Sequence, residues 1–99
     1  MYTIDCRNIN SYLDFIDAFN RGMIDSVGGK WNGNLDAFND YLAWPEKVPY
    51  QLVILGADRC EQKLNYFAND RDESSLWEIL QEIMLSHPNW VTVKFEETT

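Results

Sequence analysis

The rest of the chain is organised around residues 30–44, which read KWNGNLDAFNDYLAW. This stretch begins with a glycine-containing loop and continues as a short helix. Asn34 is a suitable N-cap for that helix, because its side chain can accept a hydrogen bond from a free backbone N–H of the first turn. At about 100° per residue, Asp36 and Asp40 share one side of the helix. The apolar residues form a separate stripe: Leu35, Phe38 and Leu42.

The polar side of this helix predicts a surface that meets a positively charged partner. The two acids are four residues apart and repel each other by a few tenths of a kcal/mol. Asn39 and Ala43 are predicted to lie on the same outer side, and Trp31 and Trp44 flank the helix. Exposed aromatic residues of this kind often anchor interfaces. The alternative interpretation is an ordinary solvated helix face.

Residues 34–42, NLDAFNDYL, resemble the signature of the barstar family, with an aromatic residue and a glycine before them and Trp44 after them. Proteins of this family are small, acidic and inhibit ribonucleases. The resemblance implies a bacterial inhibitor, immunity protein or antitoxin that is a monomer when free. It would form a 1:1 complex with a basic ribonuclease or nuclease toxin, and would block the active site with the acidic helix and the adjoining loop.

The resemblance also implies which residues meet the nuclease. Asp40 matches the principal acid that enters the active site, and Asp36 matches the second acid on the same face. Trp44 matches a contact tryptophan after the helix, and Glu82 matches a further acid on the last helix. The predicted partner-binding residues are Trp31, Asn34, Asp36, Asn39, Asp40, Ala43, Trp44 and Glu82.

Two positions depart from the family pattern. Asn39 stands where the best-known member has a tryptophan. In the loop, either Lys30 or Trp31 could occupy the position of a contact tyrosine, and Trp31 is favoured because a lysine would face a basic partner. Both departures concern the choice of nuclease more than the ability to bind one.

Composition supports a single domain spanning residues 1–99 with a protein partner. The chain has 45% hydrophobic residues and a formal net charge of −8. The apolar content is ample for a core. The charge argues against direct binding of nucleic acid phosphates and against an anionic membrane surface. It favours a basic protein, since opposite fields accelerate encounter. The alternative is that acidity only keeps the protein soluble.

A cytoplasmic location is expected, because the N-terminus lacks the features of a signal peptide and no apolar run is long enough to span a membrane. Cys6 and Cys60 are the two cysteines. They are expected to be reduced and packed, as is usual in the cytoplasm, with a disulfide as the alternative.

The remaining sequence predicts an α/β fold. Strands are predicted at residues 2–6, 50–55 and 90–95. A helix capped by Asn10 or Ser11 is expected to run through Met23, and another from Asp58, as its cap, to Leu64. The last helix is capped by Ser74 or Ser75. The order β-α-α-β-α-α-β predicts a small three-stranded parallel sheet packed with about four helices, which is also the barstar-like fold.

Burial and packing are expected to follow from two further patterns. The central strand, Tyr50 to Leu55, contains four consecutive apolar residues and is therefore expected to be buried on both faces. Trp77 and Trp90 are expected to serve packing.

Nothing in the sequence favours catalysis or a cofactor. The only histidine, His87, precedes a proline and is interpreted as a helix stop or an exposed loop residue. The charged loop at residues 69–73 lacks the spacing of a calcium site, and no cysteine or histidine pattern suggests zinc. No metal and no cofactor are expected, and the protein is not expected to be an enzyme. Besides the inhibitor, the sequence allows an acidic interaction or regulatory module with no nuclease partner.

Overall fold

The computed structural model describes residues 1–67 and 74–97. The predicted order of strands and helices is confirmed over these residues, with three strand boundaries shifted by one position. The charged loop predicted at residues 69–73 lies outside the described part. The elements are β1 (Tyr2–Asp5), α1 (Tyr12–Phe19), α2 (Leu35–Tyr41), β2 (Tyr50–Leu55), α3 (Ala57–Lys63), α4 (Leu76–Leu85) and β3 (Val91–Glu96).

The three strands form a parallel sheet in the order β1-β2-β3, which confirms the predicted α/β architecture. In its register, Ile4 is opposite Ile54, and Ile54 is opposite Phe95. This row belongs to the face of the sheet that packs into the core, where Ile4 and Ile54 are fully buried. Trp77 from α4 meets the same row, with its ring 5.9 Å from that of Phe95, so its predicted packing role is confirmed.

The prediction that β2 is buried on both faces is wrong. Gln51 is exposed on the second face of the sheet, and Val53 and Leu55 are only half-buried. Val53 is paired with Thr3 on one side and Lys94 on the other, and both of these are exposed. An apolar run cannot distinguish a face covered by helices from one that is partly shielded by neighbouring side chains.

The first helix ends earlier than predicted, because the chain changes its winding. After α1, residues Asn20–Ile24 form one π-helical turn, and Asp25–Val27 form a 3₁₀ turn. The π turn contains one more residue than an α turn, and it buries the consecutive residues Met23 and Ile24. Gly22 lies in this turn, where a Cβ atom would be 2.5 Å from the backbone oxygen of Thr3. The turn therefore packs directly on β1, which only a glycine permits.

Two helix starts agree with the predicted caps. The Ser11 hydroxyl accepts a hydrogen bond from the Asp14 N–H, and this defines the start of α1. Ser75 and Glu78 form a capping box at the start of α4, in which each side chain accepts from the backbone of the other residue. Such caps satisfy backbone donors that the helix itself cannot pair.

The predicted cap of α3 is wrong by two positions. The helix begins at Ala57, and its N-cap is Gly56, so that Asp58 lies in the first turn. Gly56 has φ +76°, and a Cβ atom there would be 2.9 Å from the Cα of Arg7. The close approach of these two segments, which the local sequence does not reveal, selects glycine at this point.

Both cysteines are free and buried, as predicted. A hydrogen bond with the Cys6 thiol, together with burial, raises the pKa of Cys60. A thiol in such a setting stays protonated, so Cys60 contributes packing rather than reactivity.

Candidate protein-binding site

Helix α2 begins where the sequence predicts. The Asn34 side-chain oxygen accepts a hydrogen bond from the Ala37 N–H at 3.0 Å, which confirms the N-cap. The loop before the cap is ordered by Asn32, whose side-chain oxygen accepts from the Asn34 N–H at 3.1 Å. Phe38 and Leu42 are fully buried and fix the inward side of the helix.

Trp31 supports α2 from inside the protein, and the prediction that it is an exposed aromatic beside the helix is wrong. Only 1% of its surface is exposed. Its Nε1–H donates to the Asn34 backbone oxygen at 2.8 Å, and its own backbone forms two hydrogen bonds with the Asn20 side chain. The indole packs against an aromatic cluster in the core: Tyr12, Phe15, Phe19 and Phe38.

Lys30, rather than Trp31, occupies the surface of this loop. Its backbone N–H donates to the Tyr41 hydroxyl, which in turn donates to the Lys30 carbonyl oxygen at 3.0 Å. The Tyr41 ring lies 4.5 Å from that of Trp44, which is 47% exposed, as the sequence predicts. Tyr41 and Trp44 therefore form a pair of contacting aromatic rings at the end of α2, next to Lys30.

Asp36 and Asp40 are both exposed on the outer side of α2, and we call the surface that they form the acidic face. Neither carboxylate makes an ion pair or a side-chain hydrogen bond with another described residue. Asn34 and Ala43 are exposed at its two ends. The structure thus places Asn34 and Ala43 on one surface with two carboxylates that have no ionic partner among the described residues.

Asn39 differs from its predicted position on the open side of the helix. It is half-buried, and its side-chain oxygen lies 2.5 Å from Nε2 of His87. His87 follows α4 and its ring stacks on that of Trp90, with centroids 4.2 Å apart. His87 is therefore more than a helix stop, because it connects the segment after α4 to α2, and Trp90 has the predicted packing role.

Glu82 lies on the exposed side of α4, the helix that packs against α2. Its carboxylate makes no ion pair or side-chain hydrogen bond with a described residue. Together with the acidic face, it leaves three unpaired acids on two neighbouring helices.

Two tyrosines hold the ends of α2 in place. The Tyr12 hydroxyl donates to the Gly33 carbonyl oxygen at 2.8 Å, just before the helix. The Tyr50 hydroxyl donates to the Leu42 carbonyl oxygen at 2.6 Å, just after it. Burial raises the pKa of Tyr12 to about 12 and also raises that of Tyr50. The acidic face is therefore carried by a helix that is fixed at both ends.

We expect Tyr12→Phe to lower the free energy of unfolding by about 1 kcal/mol at neutral pH, since one hydrogen bond is lost. The raised pKa of Tyr12 contributes stability that is complete below the unfolded pKa of about 10. That contribution is lost as the pH rises towards about 12. Urea unfolding of both proteins across this range should therefore show a smaller alkaline loss of stability in the variant. An equal alkaline loss of stability in both proteins would show that ionisation of the buried Tyr12 hydroxyl does not contribute to it.

Sequence reasoning missed the residues that position the site. Tyr41 could have been found, because it precedes Trp44 by three residues and such pairs are neighbours on a helix. Tyr12, Tyr50 and His87 act on α2 from distant parts of the chain, and no local pattern marks such contacts.

The described residues include no group of three His, Cys, Asp or Glu side chains placed to hold a metal ion. None of the described helices combines the length and apolarity that crossing a bilayer requires.

The fold and the site together define a small α/β domain whose helix α2 is fixed at both ends and presents two carboxylates without an ionic partner in residues 1–67 and 74–97. Comparison with known proteins found no family model, no curated protein and no solved structure that matches the chain. The resemblance to the barstar family therefore stays a prediction that rests on residues 34–42.

Proposed function

We propose that this protein inhibits a basic ribonuclease or nuclease toxin by covering its active site with the acidic face. The observation that carries the proposal is the pair Asp36 and Asp40, exposed side by side without an ionic partner among the described residues. Asp36 lies in the first turn of α2, where a negative charge is favourable, but Asp40 lies beyond it, and the two like charges repel each other. They become favourable when a cationic surface meets them.

The mechanism of inhibition is occupation of the site rather than chemistry. A ribonuclease binds the RNA phosphate through arginine, lysine and histidine side chains. A carboxylate placed among these cations forms charge-assisted hydrogen bonds, which are bidentate when the cation is an arginine. Asp40 is assigned to this place and Asp36 to the cations beside it, so that RNA cannot enter.

The fixed position of α2 supports tight binding. Tyr12 and Tyr50 hold its two ends, and Trp31 and Phe38 anchor it in the core. A preorganised surface loses little conformational freedom when it binds. Trp44 supplies the apolar anchor beside the carboxylates. Ala43, which is exposed and has a small side chain, lets a partner approach the backbone between Asp40 and Trp44.

Charge also supports rapid association. The net charge is −8, and at the site Glu82 on α4 adds an exposed carboxylate that has no ionic partner in the described part of the chain. Complementary charge at the rim of an interface mainly accelerates encounter, whereas buried charge pairs mainly slow dissociation. We assign Glu82 to the first role and Asp40 to the second.

A cytoplasmic location is part of the proposal. The two buried cysteines are free thiols, as expected for a protein of a reducing compartment. An inhibitor in that compartment protects a cell from a nuclease, either its own toxin or one that enters from a competitor.

The test is a titration of a purified basic bacterial ribonuclease with this protein, with cleavage of a fluorogenic RNA as the readout. We expect complete inhibition at one equivalent. Inhibition should weaken from low to moderate salt, because exposed charges are screened over about 8 Å at physiological ionic strength.

Other outcomes identify other functions. Binding to a protein that is not a nuclease, without inhibition of any ribonuclease in a panel of such enzymes, would indicate an acidic interaction module. Turnover of a substrate in the absence of a protein partner would indicate an enzyme. Either result would overturn the proposed inhibition.

A further inference from the structure

The contact between Asn39 and His87 determines which way the Asn39 amide faces. The side-chain oxygen of Asn39 lies 2.5 Å from Nε2 of His87. Since this oxygen can only accept a hydrogen bond, Nε2 must carry a proton and donate it. The Asn39 oxygen is thereby occupied within the protein.

The position of His87 is set independently of α2. Its ring is stacked on Trp90 at an interplanar angle of 17°. Its backbone oxygen accepts hydrogen bonds from the N–H groups of Trp90 and Val91, both at 3.0 Å. The segment that leads into β3 therefore fixes the position of the His87 imidazole, and the imidazole fixes the orientation of the Asn39 amide.

The amide nitrogen of Asn39 is consequently free to act outside the protein. It makes no hydrogen bond to a described residue. Among the described residues that are not exposed, no buried side-chain nitrogen or oxygen lacks a partner, so this unpaired nitrogen must reach the surface. Asn39 follows Asp36 by three positions, and residues at this spacing are neighbours on a helix surface, so the free N–H group lies at the edge of the acidic face.

We propose that Asn39 donates a hydrogen bond to a carboxylate of the ribonuclease, and that His87 is the positioning residue that turns the amide for this purpose. This inference rests on the proposed inhibitory function and deepens it. It requires the active site of the partner to contain a carboxylate among its cationic side chains. A ribonuclease that cleaves RNA by general acid–base catalysis can have such a carboxylate as its base.

Asn39→Asp is the decisive variant, because it keeps the shape of the side chain. One oxygen still accepts from His87, whereas the outward N–H group is replaced by a charged oxygen. We expect the free energy of unfolding to fall only slightly, through weak repulsion between the new charge and Asp36, and the dissociation constant for the basic ribonuclease of the titration to rise at least about tenfold. Gln62→Glu, which changes the charge by the same amount at an exposed position on α3, should not weaken binding.

Two results with this variant would overturn the proposal. Tighter binding by Asn39→Asp would mean that a cation, and not a carboxylate, faces this position. Unchanged binding would mean that the amide does not meet the partner.

Variants of His87 test its positioning role. His87→Ala should increase the dissociation rate several-fold, whereas His87→Gln, which keeps a side-chain donor, should restore most of the loss. In an Asn39→Ala background, His87→Ala should have no further effect on the dissociation rate. An equal effect in both backgrounds would show that His87 acts through stability or through a contact of its own, and would overturn the positioning role.

Nitrogen chemical shifts of the free protein separate this inference from the proposed function. With the imidazole neutral, His87 should be protonated at Nε2, and the opposite tautomer would overturn the assigned orientation. If the wild-type protein inhibits no ribonuclease, the proposed function fails, and with it the carboxylate partner. The chemical shifts still decide whether His87 orients Asn39.

Discussion

Replacing Asp40 with alanine is expected to weaken inhibition of the target ribonuclease by a factor of roughly 30 to several thousand. Removing one member of a hydrogen-bonded charge pair in an interface costs about 2–5 kcal/mol, and each 1.4 kcal/mol is a factor of ten. The loss is large because the cations of the nuclease would stay buried without a counter-charge. It should appear mainly in the dissociation rate, which stopped-flow and competition measurements resolve.

The fold of this variant should be unaffected. Asp40 is exposed and makes no ion pair or side-chain hydrogen bond with a described residue. Its removal relieves repulsion with Asp36, so the free energy of unfolding should stay the same or rise by a few tenths of a kcal/mol.

Glu61→Ala is the matched control for Asp40→Ala. It removes the same charge from an exposed position on α3 and leaves the acidic face intact. This control should change the association rate slightly and the dissociation rate not at all. Equal weakening by both variants would show that only the net charge matters, and would argue against occupation of the active site by α2.

The local features of the sequence predicted those parts of the structure that depend on neighbouring residues. Asn34 and Ser75 cap their helices because a side chain needs to reach only two or three residues along the chain. Phe38 and Leu42 are buried because the helical period alone places them together. The exposure of Asp36 and Asp40 follows from the same period, since they lie opposite that stripe.

The features that sequence analysis missed depend on contacts between distant segments. The π turn at Asn20–Ile24 is set by the approach of Gly22 to β1. The orientation of Asn39 is set by His87, which lies 48 positions further along the chain. No pattern of neighbouring residues carries information about either contact.

The wrong prediction for Trp31 has a different cause. A tryptophan two positions from a loop glycine is compatible with an exposed anchor and with a core residue. The exposed position in this loop can equally be occupied by its neighbour, Lys30. The aromatic cluster that accepts the indole comes from α1 and α2 together, so the choice is made only when these helices pack.

The corrected position of Trp31 leads to the second large effect. Trp31→Ala is expected to lower the free energy of unfolding by about 3–5 kcal/mol, the usual cost of removing a large aromatic side chain from a core. A domain of this size has a total stability of about 5–15 kcal/mol, so the loss is a large part of it. Urea unfolding followed by circular dichroism measures this change directly.

Trp44→Ala should show the opposite pattern. This ring is about half exposed and contacts Tyr41 at the surface, so its removal should cost little stability. Inhibition should nevertheless weaken at least about tenfold, as for an aromatic anchor at an interface. Trp31, which precedes α2, would then affect mainly the stability of the fold, whereas Trp44, which follows α2, would affect mainly binding.

Trp31→Phe decides between the two roles of Trp31 without unfolding the protein. It keeps an aromatic ring in the core and loses the Nε1–H bond to the Asn34 oxygen, which is 2.8 Å long. We expect a partial loss of stability, while the folded protein inhibits the ribonuclease with nearly unchanged affinity. The converse result, full stability with inhibition lost, would show that the ring of Trp31 meets the partner after all. Because the indole bonds to the cap residue of α2 from inside the protein, it contributes to the stability of the fold rather than to contact with the partner.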